Sequence, residues 1–261
     1  MPDYQTLLYQ LTEGVCTITL NRPEVFNAFN EQMKKELNEA LKEAERDAAV
    51  RCLVIRGSGG KAFCSGQDLK EHSGAKRSLR ESLEKSYHPM IRRIRTMEKP
   101  VIGMINGVAA GAGLSLALSC DMRLMSGTAK LIEVFIRIGL VPDSASHWFL
   151  SRLVGMSRAV EYSATGRDIS AEEAERVGLV NRVVSPDQLE AETATLARTL
   201  AQAPTKAIGL IKRTLNKSLA SDLDTILEYE ARIQQIASET EDHREGLRAF
   251  LEKRPAQFKG R

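Results

Sequence analysis

Two loops rich in small residues could bring backbone amides close to a ligand. Ser65 and Gly66 follow a predicted strand and a glycine-rich turn, and residues 106–113 lie between a predicted strand and a helix. Small side chains let N–H groups approach a bound group closely. At the second loop the start of a helix adds partial positive charge, which favours an anion or a developing oxyanion. Taken alone, each pattern also fits an ordinary loop or turn.

The second loop matches two familiar motifs only in part. Gly111 and Gly113 fit the dinucleotide pattern G-x-G-x-x-G, and Glu133 lies near its acidic position, but Leu116 replaces the last small residue. The run from Gly113 to Ala117 lacks the second glycine of the hydrolase pattern G-x-S-x-G. These departures argue against a nucleotide cofactor and a serine nucleophile. Oxyanion binding and tight strand–helix packing remain as the two interpretations.

A single carboxylate, Asp143, follows a proline at the end of an apolar run and precedes a predicted helix. Aspartate at this place commonly caps a helix. In apolar surroundings the same carboxylate would have a raised pKa and could transfer a proton. The local pattern fits both roles.

The elements that must position these residues alternate between strands and helices over most of the chain. Strands are predicted at residues 15–20, 52–55, 101–105, 121–125 and 130–136, and helices at 29–48, about 77–97 and 111–119. After Pro142 the pattern is mainly helical, and capping patterns at Ser170 and Ser185 predict two helix starts. We therefore predict an α/β body followed by a helical C-terminal region.

Composition excludes several classes of protein. The chain has 261 residues, 43% hydrophobic and 27% charged, a balance typical of a globular domain that needs no disulfide or metal to fold. A net charge of +3 argues against nucleic-acid binding. Its cysteines and histidines lack metal-ligand spacing, so we expect no metal site. The start of the chain does not resemble a signal peptide, and we expect a cytoplasmic protein.

One uncharged segment leaves a membrane helix open as an alternative. Residues 101–120 carry no charge over 20 positions, and Gly103, Gly107 and Gly111 have GxxxG spacing. Polar residues such as Asn106, together with the high glycine content, are unusual for a membrane span. They favour a buried strand, a glycine turn and a buried helix, and we expect no membrane association.

Considered together, these motifs resemble the crotonase (enoyl-CoA hydratase/isomerase) superfamily over nearly the whole chain. The resemblance is carried in chain order by residues 21–23 with 27–28, 62–69, 99–101, 106–113, 139–143, 174–180 and 250–254. Each motif is modest alone, and their order and spacing make the resemblance specific.

The resemblance implies a spiral of ββα turns at residues 1–195, which binds acyl-CoA, and a helical oligomerisation region at 196–261. It also implies a homotrimer or a dimer of trimers. The substrate would be an acyl-CoA thioester, with no cofactor besides the coenzyme A that it contains. The backbone amides of Ser65 and Ala112 would form the oxyanion hole. Further implied substrate contacts are Glu24, Val25, Phe26, Ala62, Gln67, Asp68 and Leu69, with Phe250 and Lys253 from a neighbouring subunit.

The same resemblance favours isomerisation over hydration. Ser115 and Phe135 stand where hydratases of the family carry two glutamates, whereas Asp143 stands where isomerase branches carry their acid/base. The chain is most similar to the branch that isomerises ring-epoxyphenylacetyl-CoA and enoyl-CoA. Alternatives are a hydratase in the broad family sense, a 4-chlorobenzoyl-CoA dehalogenase-like hydrolase that uses Asp143 and His88, and a non-catalytic acyl-CoA-binding subunit. Ser115, Phe135 and His88 are expected near the substrate, although His88 also fits a surface histidine.

Overall fold

The strands form two sheets in the computed structural model, which describes residues 4–72 and 78–261. In spatial order the six-stranded sheet contains β1 (Leu7–Thr12), β2 (Val15–Leu20), β3 (Cys52–Gly57), β5 (Val101–Ile105), β7 (Met122–Ser126) and β10 (Arg182–Val184). The four-stranded sheet contains β4 (Ala62–Cys64), β6 (Val108–Ala110), β8 (Lys130–Ile132) and β9 (Asp168–Ser170). Among these strands, β1 with β2 and β8 with β9 pair antiparallel, and the other pairs are parallel.

Helices connect the strands and make up most of the C-terminal third. They are α1 (Glu31–Arg46), α2 (Leu69–His72), α3 (Leu79–Ser82), α4 (His88–Thr96), α5 (Ala112–Ser119), α6 (Ser146–Thr165), α7 (Ala171–Arg176), α8 (Leu189–Gln202), α9 (Thr205–Ser218), α10 (Leu223–Ser238) and α11 (Glu241–Leu251). Single turns of 3₁₀ helix occur at Pro23–Val25 and Val134–Ile138, and a π-helical turn at Leu83–Tyr87.

The chain visits the two sheets alternately. β3, β5 and β7 lie in the six-stranded sheet, and each is followed by a strand of the four-stranded sheet and then by a helix. This repeated ββα unit brings the ends of successive parallel strands to one edge. The predicted α/β spiral is confirmed.

The helix predicted at 29–48 is present as α1. Its start is capped by Asn30, whose side chain accepts a hydrogen bond from the amide of Met33 at 2.8 Å. The apolar stripe read from the sequence is fully buried and consists of Met33, Leu37, Ala40, Leu41 and Ala44. Burial of this face joins α1 to the main core.

The uncharged segment at 101–120 forms β5, β6 and α5 and lies in the interior. Every residue of β5 and of α5 is buried. Across the described part of the chain, no helix has the length and apolar character needed to cross a membrane. The interpretation as a buried strand, turn and helix is therefore confirmed.

Glycines in this segment allow backbones to touch. A Cβ on Gly113 would lie 2.1 Å from the carbonyl oxygen of Cys64, and one on Gly107 would lie 2.4 Å from that of Lys61. No side chain fits at such distances, so α5 can press directly on β4. The spacing that suggested a membrane-helix dimer serves strand–helix packing within one chain.

Three predicted elements are wrong in detail. The helix start expected at Ser185 lies at Leu189, where α8 begins without a side-chain cap. The helix expected at about 77–97 is divided into α3, a π-helical turn and α4, and its first residue lies outside the described ranges. The strand expected at 130–136 ends after Ile132, because the chain then turns into a 3₁₀ helix that stops at Gly139 in the left-handed conformation. Apolar periodicity marks buried positions correctly but does not distinguish α from π or 3₁₀ turns.

The C-terminal helices differ in how many of their residues are buried. α8 packs on the six-stranded sheet through Ala197 and Ala201, which join a second apolar cluster with Val54 and Ile102. The division predicted between residues 195 and 196 falls inside this helix. α10 has no buried residue among those described, and the separate oligomerisation role of 196–261 stays a prediction.

Gly113→Ala tests the contact between α5 and β4. The added methyl must displace backbone at Cys64, so we expect the free energy of unfolding to fall by roughly 3 kcal/mol, measured by urea denaturation. Gly127→Ala is the matched control, because its nearest contacts would be at 3.8 Å. Equal stability of the two variants would contradict the proposed role of this contact.

Candidate active site

The two amide-bearing loops meet at the ends of β4 and β6. These strands pair in parallel, so the loops that follow them emerge at the same edge. Gly66 has a φ of 101°, and a Cβ there would lie 3.0 Å from the Ala110 oxygen and 3.6 Å from the Ala112 nitrogen. Ala112 is the first residue of α5, and N–H groups in a first turn have no intrahelical acceptor. The edge therefore presents an anion-attracting helix start.

The amide of Ser65, in the first loop, has an internal partner. It donates a hydrogen bond to the carbonyl of Phe26 at 3.1 Å. Phe26 and Asn27 both have left-handed backbones, with φ of 55° and 57°. The buried Asn27 side chain holds this turn by donating to the carbonyl of Ala62 at 2.9 Å. An oxyanion at Ser65 would have to share or replace the Phe26 carbonyl.

Gln67 and Asp68 brace the first loop with their side chains. Asp68 forms an ion pair with Arg22 at 3.1 Å. The Gln67 amide donates to the carbonyl of Phe29 at 3.0 Å and accepts from the Tyr87 hydroxyl at 2.7 Å. Both residues were predicted to contact substrate, and their polar side-chain atoms already have protein partners.

The remaining predicted contacts of this region differ in exposure. Phe26 and Leu69 are exposed by 51% and 53%, and Glu24 is also exposed. Val25 is half-buried and Ala62 is fully buried in β4. The exposed residues form the outer side of the loops, where a long substrate could lie.

Asp143 lies in the loop between Val134–Ile138 and α6, close to the second amide loop. The Ser115 hydroxyl joins them, since its Oγ lies 3.3 Å from the Gly111 carbonyl and 3.1 Å from that of Asp143. Burial raises the pKa of Asp143, whereas a hydrogen bond from Ser144 and the nearby charge of His88 lower this pKa in part. The structure thus brings Ser115 to the backbone of Asp143 and places His88 within electrostatic range of the Asp143 carboxyl.

Phe135 closes the apolar side of this group. A Cβ on Gly111 would lie 3.8 Å from its ring, which is itself buried. A ring at this position cannot transfer a proton, and neither can the Ser115 hydroxyl at neutral pH. Beside Ser115 and Phe135, Asp143 supplies an acidic side chain, and this side chain is half-buried.

Glu133 is a second carboxyl, for which the sequence suggests only the acidic position of a nucleotide motif. It is fully buried, and its Oε1 accepts a hydrogen bond from the Ser146 hydroxyl. Its Oε2 has no hydrogen-bond partner among the described residues. Burial raises the pKa of Glu133 to about 7, with a further increase from the charge of Asp143. The signal in the sequence that points to a buried carboxyl is an acidic residue inside the apolar run at 131–135.

Phe250 and Lys253 lie at the C-terminal end of α11 and just beyond it. The Phe250 side chain is 81% exposed, and α11 packs on α10. Their contact with the substrate of a neighbouring subunit stays a prediction.

Comparison with known proteins identifies the family. The enoyl-CoA hydratase/isomerase family model matches residues 10–261. The chain belongs to this family. It is 42% identical over 259 residues to 1,2-epoxyphenylacetyl-CoA isomerase of Escherichia coli K12, covering 98% of each chain. It is 34% identical to the short-chain-enoyl-CoA hydratase of Clostridium acetobutylicum, covering 95% of each.

Solved structures of this family have the same fold. The enoyl-CoA hydratase of Bacillus anthracis superimposes with a TM-score of 0.94 at 33% identity, over 98% of this chain and 100% of that one. Relatives carry both isomerase and hydratase names. Family membership therefore gives an acyl-CoA thioester as the substrate class, and the reaction has to be argued from the site.

Glu133 predicts a measurable dependence of stability on pH. Its ordinary pKa of 4.5 rises to about 7 in the native state, so the folded protein binds an extra proton between these values. Stability is therefore lost as the pH rises through this interval, by roughly 3 kcal/mol for a single group. In Glu133→Gln this contribution should be absent, so the variant should lose roughly 3 kcal/mol less than the wild type, as measured by urea denaturation at about pH 5 and about pH 8.

Glu172→Gln provides the control, because Glu172 is exposed. Its stability should follow that of the wild type at both pH values. A Glu133→Gln variant that loses as much stability as the wild type would contradict the buried-proton interpretation.

Proposed function

We propose that the protein is an acyl-CoA isomerase that moves a double bond through a thioester enolate, with Asp143 as acid and base. The observation that carries the proposal is the half-buried carboxyl of Asp143, whose pKa is raised by burial and whose backbone carbonyl accepts a hydrogen bond from Ser115 of α5. A pseudo-enzyme that only binds acyl-CoA would have no use for a carboxyl held in this way.

The oxyanion would be bound where the two loops meet. The thioester oxygen would accept hydrogen bonds from the backbone amides of Ser65 and Ala112, in a site favoured by the start of α5. Preorganised donors stabilise a developing negative charge by about 3 kcal/mol each, and the Ser65 amide would first have to share or release the Phe26 carbonyl. The nearness of Gly66 to the Ala112 nitrogen supports this pairing.

Asp143 would move one proton between two carbons. Its carboxylate removes a proton from the carbon next to the double bond, and the electron pair of that C–H bond forms the conjugated enolate. The resulting carboxylic acid returns the proton to another carbon, and the electron pair restores the thioester carbonyl. The raised pKa of Asp143 suits a group that must both take and release this proton. The reaction needs no cofactor besides the substrate.

The substrate is proposed as an enoyl-CoA or a ring-epoxide of phenylacetyl-CoA. Similarity to the Escherichia coli isomerase supports the ring-epoxide as the substrate. Hydration would require a group that activates water, and Ser115 and Phe135 do not supply one.

A hydrolase of the 4-chlorobenzoyl-CoA dehalogenase type is the second candidate. Its supporting observation is that His88 lies near enough to Asp143 for its charge to lower the pKa of that carboxyl. In that reaction Asp143 would displace chloride from the ring, and water directed by His88 would cleave the aryl ester.

Asp143→Asn tests the proposed acid/base. Because an amide cannot exchange the proton, kcat for isomerisation of 3-hexenoyl-CoA should fall by at least roughly 1,000-fold while binding of the substrate is retained. Isothermal titration and a spectrophotometric assay measure these two quantities. Asp187→Asn, at an exposed position, should behave as the wild type.

A panel of substrates separates the reactions. We expect turnover of 3-hexenoyl-CoA or ring-epoxyphenylacetyl-CoA, little hydration of crotonyl-CoA and no chloride release from 4-chlorobenzoyl-CoA. Efficient hydration would favour the hydratase, and chloride release that depends on His88 would favour the hydrolase. Full isomerase activity of Asp143→Asn would refute the role of this residue.

The exposed apolar side chains of the last three helices support an oligomer. These residues include Ile211, Leu215, Leu219, Leu223, Leu227, Leu247, Phe250 and Leu251. Apolar surface on this scale is typical of an interface. Together with family membership, it supports a homotrimer or a dimer of trimers.

Sedimentation velocity measures the oligomeric state directly. We expect a trimer or hexamer, and Leu223→Asp together with Leu227→Asp should shift the protein towards the monomer, because burying charge at an interface is unfavourable. The exposed, polar pair Glu190→Asp and Asp187→Glu is the control. A stable wild-type monomer would contradict the proposal.

A further inference from the structure

A cluster of buried polar side chains lies directly behind Asp143. Its members are Ser115, Glu133, Ser144 and Ser146, each exposed by no more than 3%. Buried polar groups are unfavourable unless they are hydrogen-bonded. The three serines bond to Asp143 itself and Glu133 bonds to one of them, which indicates a function beyond packing.

Ser146 connects Glu133 to the backbone of Asp143. Its hydroxyl donates to Glu133, and its amide donates to the carbonyl of Asp143 at 2.9 Å. The same carbonyl accepts from Ser115. Glu133 is therefore one side chain away from the turn that holds the proposed acid/base.

The turn after Asp143 needs such support. Ser144 and Ala145 have φ of 52° and 66°, a left-handed conformation that is unfavourable for residues with a Cβ. Two successive residues of this kind persist only where their surroundings hold them. The bonds from Ser115 and Ser146 to the Asp143 carbonyl hold the start of this turn.

We propose that Glu133 is a positioning residue for Asp143 and acts through Ser146. Glu133 retains its own proton and therefore adds no charge beside the acid/base. This inference rests on the proposed isomerase function. An enolate adds negative charge beside Asp143, and a second ionised carboxyl nearby would oppose that charge. A protonated Glu133 maintains the turn without the repulsion.

Among the described residues, few other charged groups face Glu133 and Asp143. From the π-helical turn and α4, Tyr87 and His88 lie near Asp143. α5 carries no titratable side chain. On the 3₁₀ turn, Arg137 bonds instead to the Gly166 carbonyl and to Asp168. In the first turn of α6, His147 is exposed.

The pH dependence of kcat is the first test. Burial raises the pKa of Glu133 to about 7, so its proton is present at pH 6 and lost at higher pH. We expect kcat for 3-hexenoyl-CoA in the wild type to fall roughly tenfold between about pH 6 and about pH 8.5, with KM little changed. In Glu133→Gln this fall should be absent, since glutamine stays neutral.

Two controls assign the titrating group. Glu172→Gln should keep the wild-type profile, because that side chain is exposed. His88→Asn should also keep the fall above neutral pH, which separates Glu133 from the nearby histidine. A fall in Glu133→Gln equal to that of the wild type would overturn the proposal.

Infrared spectroscopy tests the proton without reference to activity. The carbonyl stretch of a protonated carboxylic acid should be present in the wild type at pH 6, disappear by about pH 8.5, and be missing in Glu133→Gln. Ser146→Ala removes a hydrogen bond that lowers this pKa, so its band should persist to higher pH. A band that is identical in Ser146→Ala and the wild type would overturn the link through Ser146.

These measurements separate the two hypotheses. If Asp143→Asn remains fully active, the proposed function fails, and the infrared band still reports whether Glu133 holds its proton. If Asp143→Asn is inactive and the band is absent from the wild type at pH 6, the function stands and the inference on Glu133 fails.

Discussion

The direct contact between the start of α5 and strand β4 is the constraint on which the site depends. At Gly113 a backbone carbonyl occupies the place of a side chain. Because this contact fixes the helix start against the end of the strand, the loops at Ser65 and Ala112 lie side by side. A larger separation would leave two ordinary loops with no common binding position.

Electrostatics in the site follow from what surrounds this contact. The helix contributes aligned backbone dipoles and no charged residue. The main core behind it is apolar, so a carboxyl placed beside it is poorly solvated and its pKa rises. Asp143 remains half-buried, whereas Glu133 is fully buried. One chain thereby holds two carboxyls, ten residues apart in the sequence, in different environments.

Much of this arrangement could be predicted from sequence because it is encoded locally. The apolar stripe of α1, the small residues at 106–113 and the proline before Asp143 are all patterns of adjacent residues. The relation of Glu133 to Ser146, and the bond from Ser65 to Phe26, depend on turns with left-handed residues that lack glycine. Propensities do not indicate such conformations, because tertiary contacts hold them. For the same reason the short strand β8 and the divided helix at 79–96 differ from their predictions.

The hydrogen bond from the Ser65 amide to the Phe26 carbonyl has a consequence for selectivity. This amide already has the Phe26 carbonyl as its acceptor, so under the proposed function a bound thioester would only exchange one neutral carbonyl acceptor for another. Such an exchange contributes little to ground-state affinity. The gain arises when the incoming oxygen becomes an anion, since charged acceptors form stronger hydrogen bonds. Under the proposed function, competition with the Phe26 carbonyl would therefore make the Ser65 amide favour the transition state over the substrate.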